Sequence, residues 1–469
     1  MRRVCLLIHE PSPMKAVADK DMIEVDAVCV GMFVHLDLSW MSHPFPLGSF
    51  KIASAEQIET IRSLGLARLR WNPAQSDVVP ASTGRWAPGG GVPGDAANPD
   101  DAGGPGTACK TTEPTEPAEP AEPAEPAVAP EVAARQAHKR AISEQRDALA
   151  LCERQFTEAS HDFKRINDLV VSKPQDARAQ AETLSRALVD KMLGEQDLCV
   201  RLLTDAAGDK ASMHALNVTI IALLMGRTFG LSEPDMQDLG VGAMLHDIGK
   251  IDLPDRVRHR DDNLSASELR FYEEHVAHGV TLARKMGLTP GAMLVLAQHH
   301  EHADGSGFPL RLNTDRMTAG ARIVALVNRY DNLCNPHFAA RALTPHESLS
   351  LMFAQGKSKF DTAILGAFIR MMGVYPAGST VQLTDDRYAL VVGVNSSRPL
   401  KPRVLVHERG VPREEALIVD LEAAQGLGIR RCIKPLQLPV ESLAYLAPRP
   451  RVAYFFEPVL LADEAALAA

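Results

Sequence analysis

Six side chains stand out for their type and spacing: His214, His246, Asp247, His275, His299 and His300. Eight of the sixteen histidines in this 469-residue chain fall between His214 and His302. A single histidine in an apolar helix is ordinarily a hydrogen-bonded core residue, and His259, His278 and His302 are read that way. The six differ as a set. His214 leads into the apolar run Ile220–Leu224, while His246-Asp247 and His299-His300 each close a further apolar helix. Imidazoles and a carboxylate at buried helix ends are costly unless paired or coordinated. A shared metal satisfies them together, as in other helical frameworks that build sites from facing side chains. Histidine and carboxylate ligands without thiolate suit iron, manganese or zinc. Such an ion makes a nucleophile of water at neutral pH. Lys250 follows His246 by about one helical turn and can neutralise negative charge developing beside the ion. In Asp304-Gly305-Ser306-Gly307-Phe308-Pro309, the glycines permit positive φ and close approach of a ligand.

The elements that must position these residues are helical. Residues 131–168 and 174–206 are rich in Ala, Leu, Glu, Arg and Gln, and the helical pattern continues to about 372. Ser232-Glu233-Pro234-Asp235 has capping-box spacing and opens a helix running to His246; Pro290 opens the helix that ends at His299-His300. Residues 374–439 change texture, with strand-like runs at Val381–Leu383, Tyr388–Val394 and Arg403–His407. A small α/β unit is predicted over 21–74. It has a strand-like run Val28–Leu38 bent at Gly31 and a helix Ala55–Leu66 led by Ser54 and ended at Gly65. The expected fold is therefore multidomain and mainly α: an all-helical metal-binding domain flanked by a small N-terminal α/β domain and a small β-rich C-terminal module. Residues 1–20 are expected to be unstructured, 131–186 to be a helical connector, and 440–469 to be a tail with no clear pattern.

Composition limits the function. The formal charge is −9, but residues 75–130 carry nine acids against Arg85 and Lys110, leaving −2 for the remainder. That segment holds eleven prolines, eight glycines and a Glu-Pro-Ala repeat at 113–127, and reads as a disordered spacer. Neither a nucleic-acid polymer nor a membrane surface is an expected partner. The seven scattered cysteines lack a CxxC pair and point to a reducing cytoplasm. No apolar run reaches the roughly 18 residues needed to span a bilayer.

Gly242-Ala243-Met244-Leu245-His246-Asp247-Ile248-Gly249-Lys250, His275 with Gly279, His299-His300-Glu301 and Asp304–Pro309 together resemble the HD-GYP family. These are bacterial phosphodiesterases that linearise cyclic di-GMP and often continue to GMP. The resemblance covers residues 187–373; residues 21–74 look like the uncharacterised domain that often precedes HD-GYP. It implies that His214, His246, Asp247, His275, His299 and His300 are metal ligands, with Asp247 bridging two divalent ions, iron or manganese. It places Lys250, Asp304, Gly305, Gly307, Phe308 and Pro309 at the substrate, and Asp247 and Lys250 in catalysis.

Several positions depart from the family pattern. Phe308 stands where tyrosine is usual. Asn328 occupies the position of the last metal-binding aspartate, with Asp331 three residues on as a substitute ligand or a structural residue. His337 replaces a substrate-gripping arginine, a role that Arg341 can take over. Lys210 replaces a glutamate found in members with three metals, which implies two here. The readings are a cyclic di-GMP phosphodiesterase, a catalytically weak module binding cyclic di-GMP or signalling proteins, and a phosphohydrolase of another nucleotide. Helices 131–206 offer a surface for homodimerisation.

Overall fold

The computed structural model describes residues 22–36, 38, 49–78, 130–195, 197–204, 208–259, 264–356, 358–395, 398 and 400–458. The expectations for residues 1–20, for most of the 75–130 spacer and for the last part of the 440–469 tail lie outside these residues.

The N-terminal unit is a four-stranded antiparallel sheet made of β1 (Met22–Glu24), β2 (Phe33–His35), β3 (Ser49–Lys51) and β4 (Arg68–Asn72), in the order β1-β4-β2-β3. Helix α1 (Ala55–Ser63) starts where the Ser54 hydroxyl accepts from the Gln57 amide. Gly31 and Gly65 take positive φ at the two turns. The expected single strand Val28–Leu38 is thus only its middle third, because the chain turns at Val30-Gly31. The unit has its own apolar core, with Met32, Val34, Ile52, Ile61 and Trp71 at its centre. It also continues past residue 74. The Asp77 amide donates to Gly31 O, and its carboxylate pairs with Lys51.

The helical body consists of α2 (Pro130–Leu169), α3 (Pro174–Leu193), α4 (Lys210–Thr228), α5 (Glu233–Leu245), α6 (Ala266–Glu273), α7 (His275–Met286), α8 (Pro290–Gln298), α9 (Ala319–Cys334), α10 (Pro345–Gln355) and α11 (Thr362–Met372). α4 is buried on nearly every side; α5 and α9 pack against it, and α8 packs on α5 and α9. The predicted caps form: Ser232 accepts from the Asp235 amide, and Pro290 stands in the first turn of α8. Gly242 permits α5 to lie against α8, since a Cβ there would strike Val295 and the Ala292 carbonyl.

Residues 194–206 differ from the expected helix. Leu198–Leu202 is a fully buried strand, β5. It joins β6 (Thr380–Leu383), β7 (Tyr388–Asn395), β8 (Arg403–Val406), β9 (Ile418–Asp420), β10 (Ile429–Ile433) and, after the short helix α12 (Val440–Leu446), β11 (Tyr454–Pro458) in one seven-stranded sheet. β11 and β5 run antiparallel, from Tyr454 opposite Leu202 to Pro458 opposite Leu198. The β-rich region is therefore not a self-contained module over 374–439. It borrows a strand from within the helical body and closes with one from the segment expected to be a tail. Sheet and helices share one apolar core. Among the described residues, no helix is long and apolar enough to cross a membrane.

Candidate metal centre

Three histidines are oriented by the same local device. His246 follows α5, His275 opens α7 and His299 follows α8. In each, Nδ1 lies on the carbonyl three residues earlier: Ala243 at 2.7 Å, Tyr272 at 2.6 Å and Leu296 at 2.6 Å. A carbonyl only accepts, so each Nδ1 carries the proton and each Nε2 presents a bare lone pair. His214, near the start of α4, is set the same way by the Asp331 carboxylate of α9, 2.6 Å from its Nδ1.

The four Nε2 atoms converge on Asp247. Asp247 Oδ2 lies 3.6 Å from His214 and 3.5 Å from His246, while Oδ1 lies 3.5 Å from His275 and 3.6 Å from His299. His214 Nε2 and His246 Nε2 are 3.1 Å apart, and His275 Nε2 and His299 Nε2 are 3.4 Å apart. Pairs of acceptors at such distances repel unless a cation lies between them. Two ligand groups result, each within the span of one ion: His214 with His246 and Asp247, and His275 with His299, His300 and Asp247. Asp247 Oδ1 and His300 Nε2 are buried without a hydrogen-bond partner. Orphaned acceptors among inward-facing imidazoles fit divalent-cation ligation and match no other purpose in this core.

The electrostatics agree. Burial, and then the neighbouring imidazoles, push His246 and His300 far below the usual imidazole value despite the Asp247 charge. Burial likewise takes His275 down to about 3. Burial alone would raise the Asp247 carboxyl, but Lys250 and the histidines outweigh it and hold the group ionised. Lys250 Nζ donates to Asp247 Oδ2 at 2.6 Å and lies 5.5 Å from the Tyr272 ring centre. Burial would lower its pKa, yet Asp247 and Tyr272 raise it. Neutral imidazoles, an ionised carboxylate and a fixed cation are the states in which such groups can ligate a metal ion and attract an anion.

Close backbone contacts hold the two groups together. Gly249 lies in the 3-10 turn Ile248–Asp252 after Asp247, where a Cβ would overlap the His275 carbonyl and the Gly279 amide. This brings the turn bearing Asp247 and Lys250 against the first turns of α7. The 304–309 loop is held by Glu301, whose fully buried carboxylate accepts from the Leu310 amide at 2.6 Å and the Leu312 amide at 2.8 Å. Gly307 passes too close to residues 300–302 for any Cβ, and Gly305 has φ of +74°. Asp304 accepts from the Ser306 amide, and Pro309 follows a cis bond. The loop brings Phe308 to the cluster, its ring stacked on His300 at 4.5 Å.

The remaining expected residues sit differently. Asn328 is buried on α9, and its side-chain oxygen accepts from Asn332 at 2.6 Å. Asp331 serves as the orienting partner of His214, so its carboxylate is already engaged behind that ring. His337 stacks on His259 at 4.0 Å, and Arg341 lies 5.7 Å from the neighbouring Phe338 ring. Lys210 donates to the His337 carbonyl. Burial first, then His337 and Lys250, lower His259 to about 4, which places a histidine read as ordinary core within the field of the site. Glu301, Tyr272 and His259 are the contributors that sequence reasoning did not assign. Only Glu301 carried a signal, as the residue next to His299-His300.

Comparison with known proteins follows the same division. Residues 168–364 match the HD domain family, and residues 21–181 match a domain of unknown function, DUF3391. A cyclic di-GMP phosphodiesterase of Pseudomonas aeruginosa is 26% identical over 251 residues, 52% of this chain and 60% of the relative. The cyclic di-GMP phosphodiesterase response regulator RpfG of Xanthomonas campestris is 32% identical over 153 residues, 32% of this chain and 40% of the relative. A 3′3′-cGAMP-specific phosphodiesterase of Vibrio cholerae is 31% identical over 131 residues, 28% of this chain and 25% of the relative. The chain thus spans no more than 60% of the length of these relatives. The histidine cluster, the helical body and the two matches agree in likening residues 168–364 to an HD domain and the stretch from residue 21 to 181 to DUF3391.

Proposed function

We propose that the chain is a phosphodiesterase that hydrolyses cyclic di-GMP to linear pGpG, GMP or both, with two divalent ions, iron or manganese, in the cluster. The observation that carries the reading is the position of Asp247, which offers one oxygen to each of two imidazole groups and has Lys250 beside it. Relatives named as cyclic di-GMP phosphodiesterases support the substrate class. When bound, the ions supply an activated water and positive charge for the phosphate oxygens.

The protein's own part follows from the fixed groups. Backbone carbonyls and Asp331 hold the ligand nitrogens deprotonated and aimed inward, so no proton must be displaced when an ion binds. Lys250 remains charged and offers its remaining hydrogens to a phosphate oxygen as negative charge accumulates there. Phe308 forms an apolar wall over His300 and shields that ring from water. Hydrolysis adds water across a P–O3′ bond; the oxygen goes to phosphorus and the leaving 3′-oxygen takes up a proton.

The test is turnover of cyclic di-GMP by full-length protein purified without oxygen and loaded with Fe(II) or Mn(II). Turnover is expected, and His246→Ala should abolish it. Tight binding without hydrolysis, unaffected by His246→Ala, overturns the enzymatic reading. Equal turnover of cyclic GMP-AMP would remove the specificity for cyclic di-GMP.

The second reading, a binding module with weak catalysis, is favoured by Asn328, which offers a neutral oxygen already engaged by Asn332. Asn328→Asp keeps that acceptor and adds a charge. Metal occupancy should rise in this variant at limiting metal, whereas equal occupancy would show that residue 328 is not a ligand.

A further inference from the structure

Asp331 orients His214 with one oxygen, and its other oxygen is held by residues outside the ligand set. Asp331 Oδ1 accepts from Asn217 Nδ2 at 2.8 Å and from Asn335 Nδ2 at 2.8 Å. Both amides then turn to the same short piece of backbone at the far end of the chain. Asn217 Nδ2 donates to the Val452 carbonyl at 3.0 Å, and Asn217 Oδ1 accepts from the Tyr454 amide at 3.0 Å. Asn335 Nδ2 donates to the same Val452 carbonyl at 2.9 Å, and Asn335 Oδ1 accepts from the Val452 amide at 2.9 Å. Each side-chain amide uses both N–H bonds and its oxygen, which fixes its orientation. Asn217 and Asp331 are wholly buried. The backbone they grip is itself pinned, because Leu203 N donates to Ala453 O at 3.0 Å and β11 pairs with β5 along its length.

We infer that the C-terminal segment Val452–Tyr454 is a positioning element of the metal centre, acting through Asn217, Asn335 and Asp331 on His214. The inference rests on the reading that the cluster binds two ions. The influence is confined to one ion, because His214 belongs to the His246 group and not to the His275, His299 and His300 group. Without the clasp, the Asp331 carboxylate loses two charge-assisted hydrogen bonds and can turn away from His214 Nδ1. That ring is then free to change tautomer or rotate, and its Nε2 ceases to be a fixed donor. Partners of this kind, one shell removed from a metal, typically govern its affinity by roughly ten- to a hundredfold.

The experiment is Mn(II) titration of the full chain, read by metal content per chain and by electron paramagnetic resonance. Asn335→Ala and Asn217→Ala are compared with Tyr330→Phe, which removes the hydroxyl contacts of Tyr330 with Tyr454 and Cys334 and leaves both asparagines in place. The unsubstituted protein and Tyr330→Phe should bind two ions with the signal of a coupled pair. The asparagine variants should hold one ion tightly and the other roughly ten- to a hundredfold more weakly, with the six-line signal of an isolated Mn(II). Two unchanged ions in a folded variant overturn the inference, as does equal weakening of both. If Asn217→Ala does not fold, Asn335→Ala, which is only half-buried, decides the matter. Fewer than two ions in the unsubstituted protein would instead defeat the two-ion reading and the inference with it.

Discussion

Orientation of each imidazole by a group behind it means that the site is built before any ligand arrives, and His275 shows the cost. Its ring is fully buried and pushed down to about 3, first by burial and then by His299 and Lys250 against the opposing pull of Asp247. An unfolded histidine titrates near 6.5. Between these values the unfolded chain binds a proton that the folded chain does not, so stability falls as pH is lowered. The contribution is fully present above the unfolded value and shrinks progressively below it; by pH 5 the loss is roughly 2 kcal/mol for this one ring. Thermal unfolding followed by circular dichroism in EDTA should therefore show a midpoint that drops between pH 7 and pH 5. His275→Gln, which cannot be protonated, should flatten that drop. An equal pH slope in both proteins would mean that His275 is not held neutral by the fold.

At the level of elements, the site depends on a contact too close for side chains. Gly249 and Gly279 let the turn after Asp247 touch α7, and that contact helps set Asp247 against His275. Gly249→Ala should push the two apart. The expected outcome is a folded but destabilised protein, by about 1–3 kcal/mol as for other overpacked cores, with the His275 group losing metal affinity first. Unchanged Mn(II) binding in Gly249→Ala would show that the contact does not position the ligands. The same scale explains what was legible in the sequence. Ser232, Pro290 and the apolar runs ahead of His246 and His299 are local signals, and the helices they announce are present. Leu198–Leu202 was expected to be helical and Tyr454–Pro458 fell in the stretch without a clear pattern, because both are short and each sets one charged residue, Arg201 or Glu457, among apolar ones. Periodicity cannot separate a buried strand from a helical turn at that length, and each strand's partner lies some 250 residues away. The clasp on Asp331 had one overlooked cue, a fully buried asparagine one turn after His214 on an otherwise apolar helix.

Across the whole molecule, the sheet ties β5, from within the helical body, to β11 near residue 458, and Glu457 is its knot. One carboxylate oxygen on β11 meets Arg201 of β5 at 3.2 Å and Arg403 of β8 at 2.5 Å, and Arg201 is only 2% exposed. Glu457→Ala would leave two arginines facing each other with the charge between them gone. Removing one member of a buried ionic group typically costs roughly 3–5 kcal/mol, because the partners keep their desolvation penalty. The chain offers a way to read where that loss falls. Its three tryptophans, Trp40, Trp71 and Trp86, all precede residue 87, and Trp71 belongs to the separate core of the N-terminal unit. With Trp40 and Trp86 replaced by phenylalanine, Trp71 fluorescence follows that unit, while far-ultraviolet circular dichroism is dominated by the helical body. In urea, Glu457→Ala should lower the dichroism midpoint and leave the fluorescence midpoint where it is. A joint shift of both would mean that the N-terminal unit and the body unfold as one, despite their separate cores. No shift in either would mean that the three charged groups are solvated well enough to make the knot dispensable.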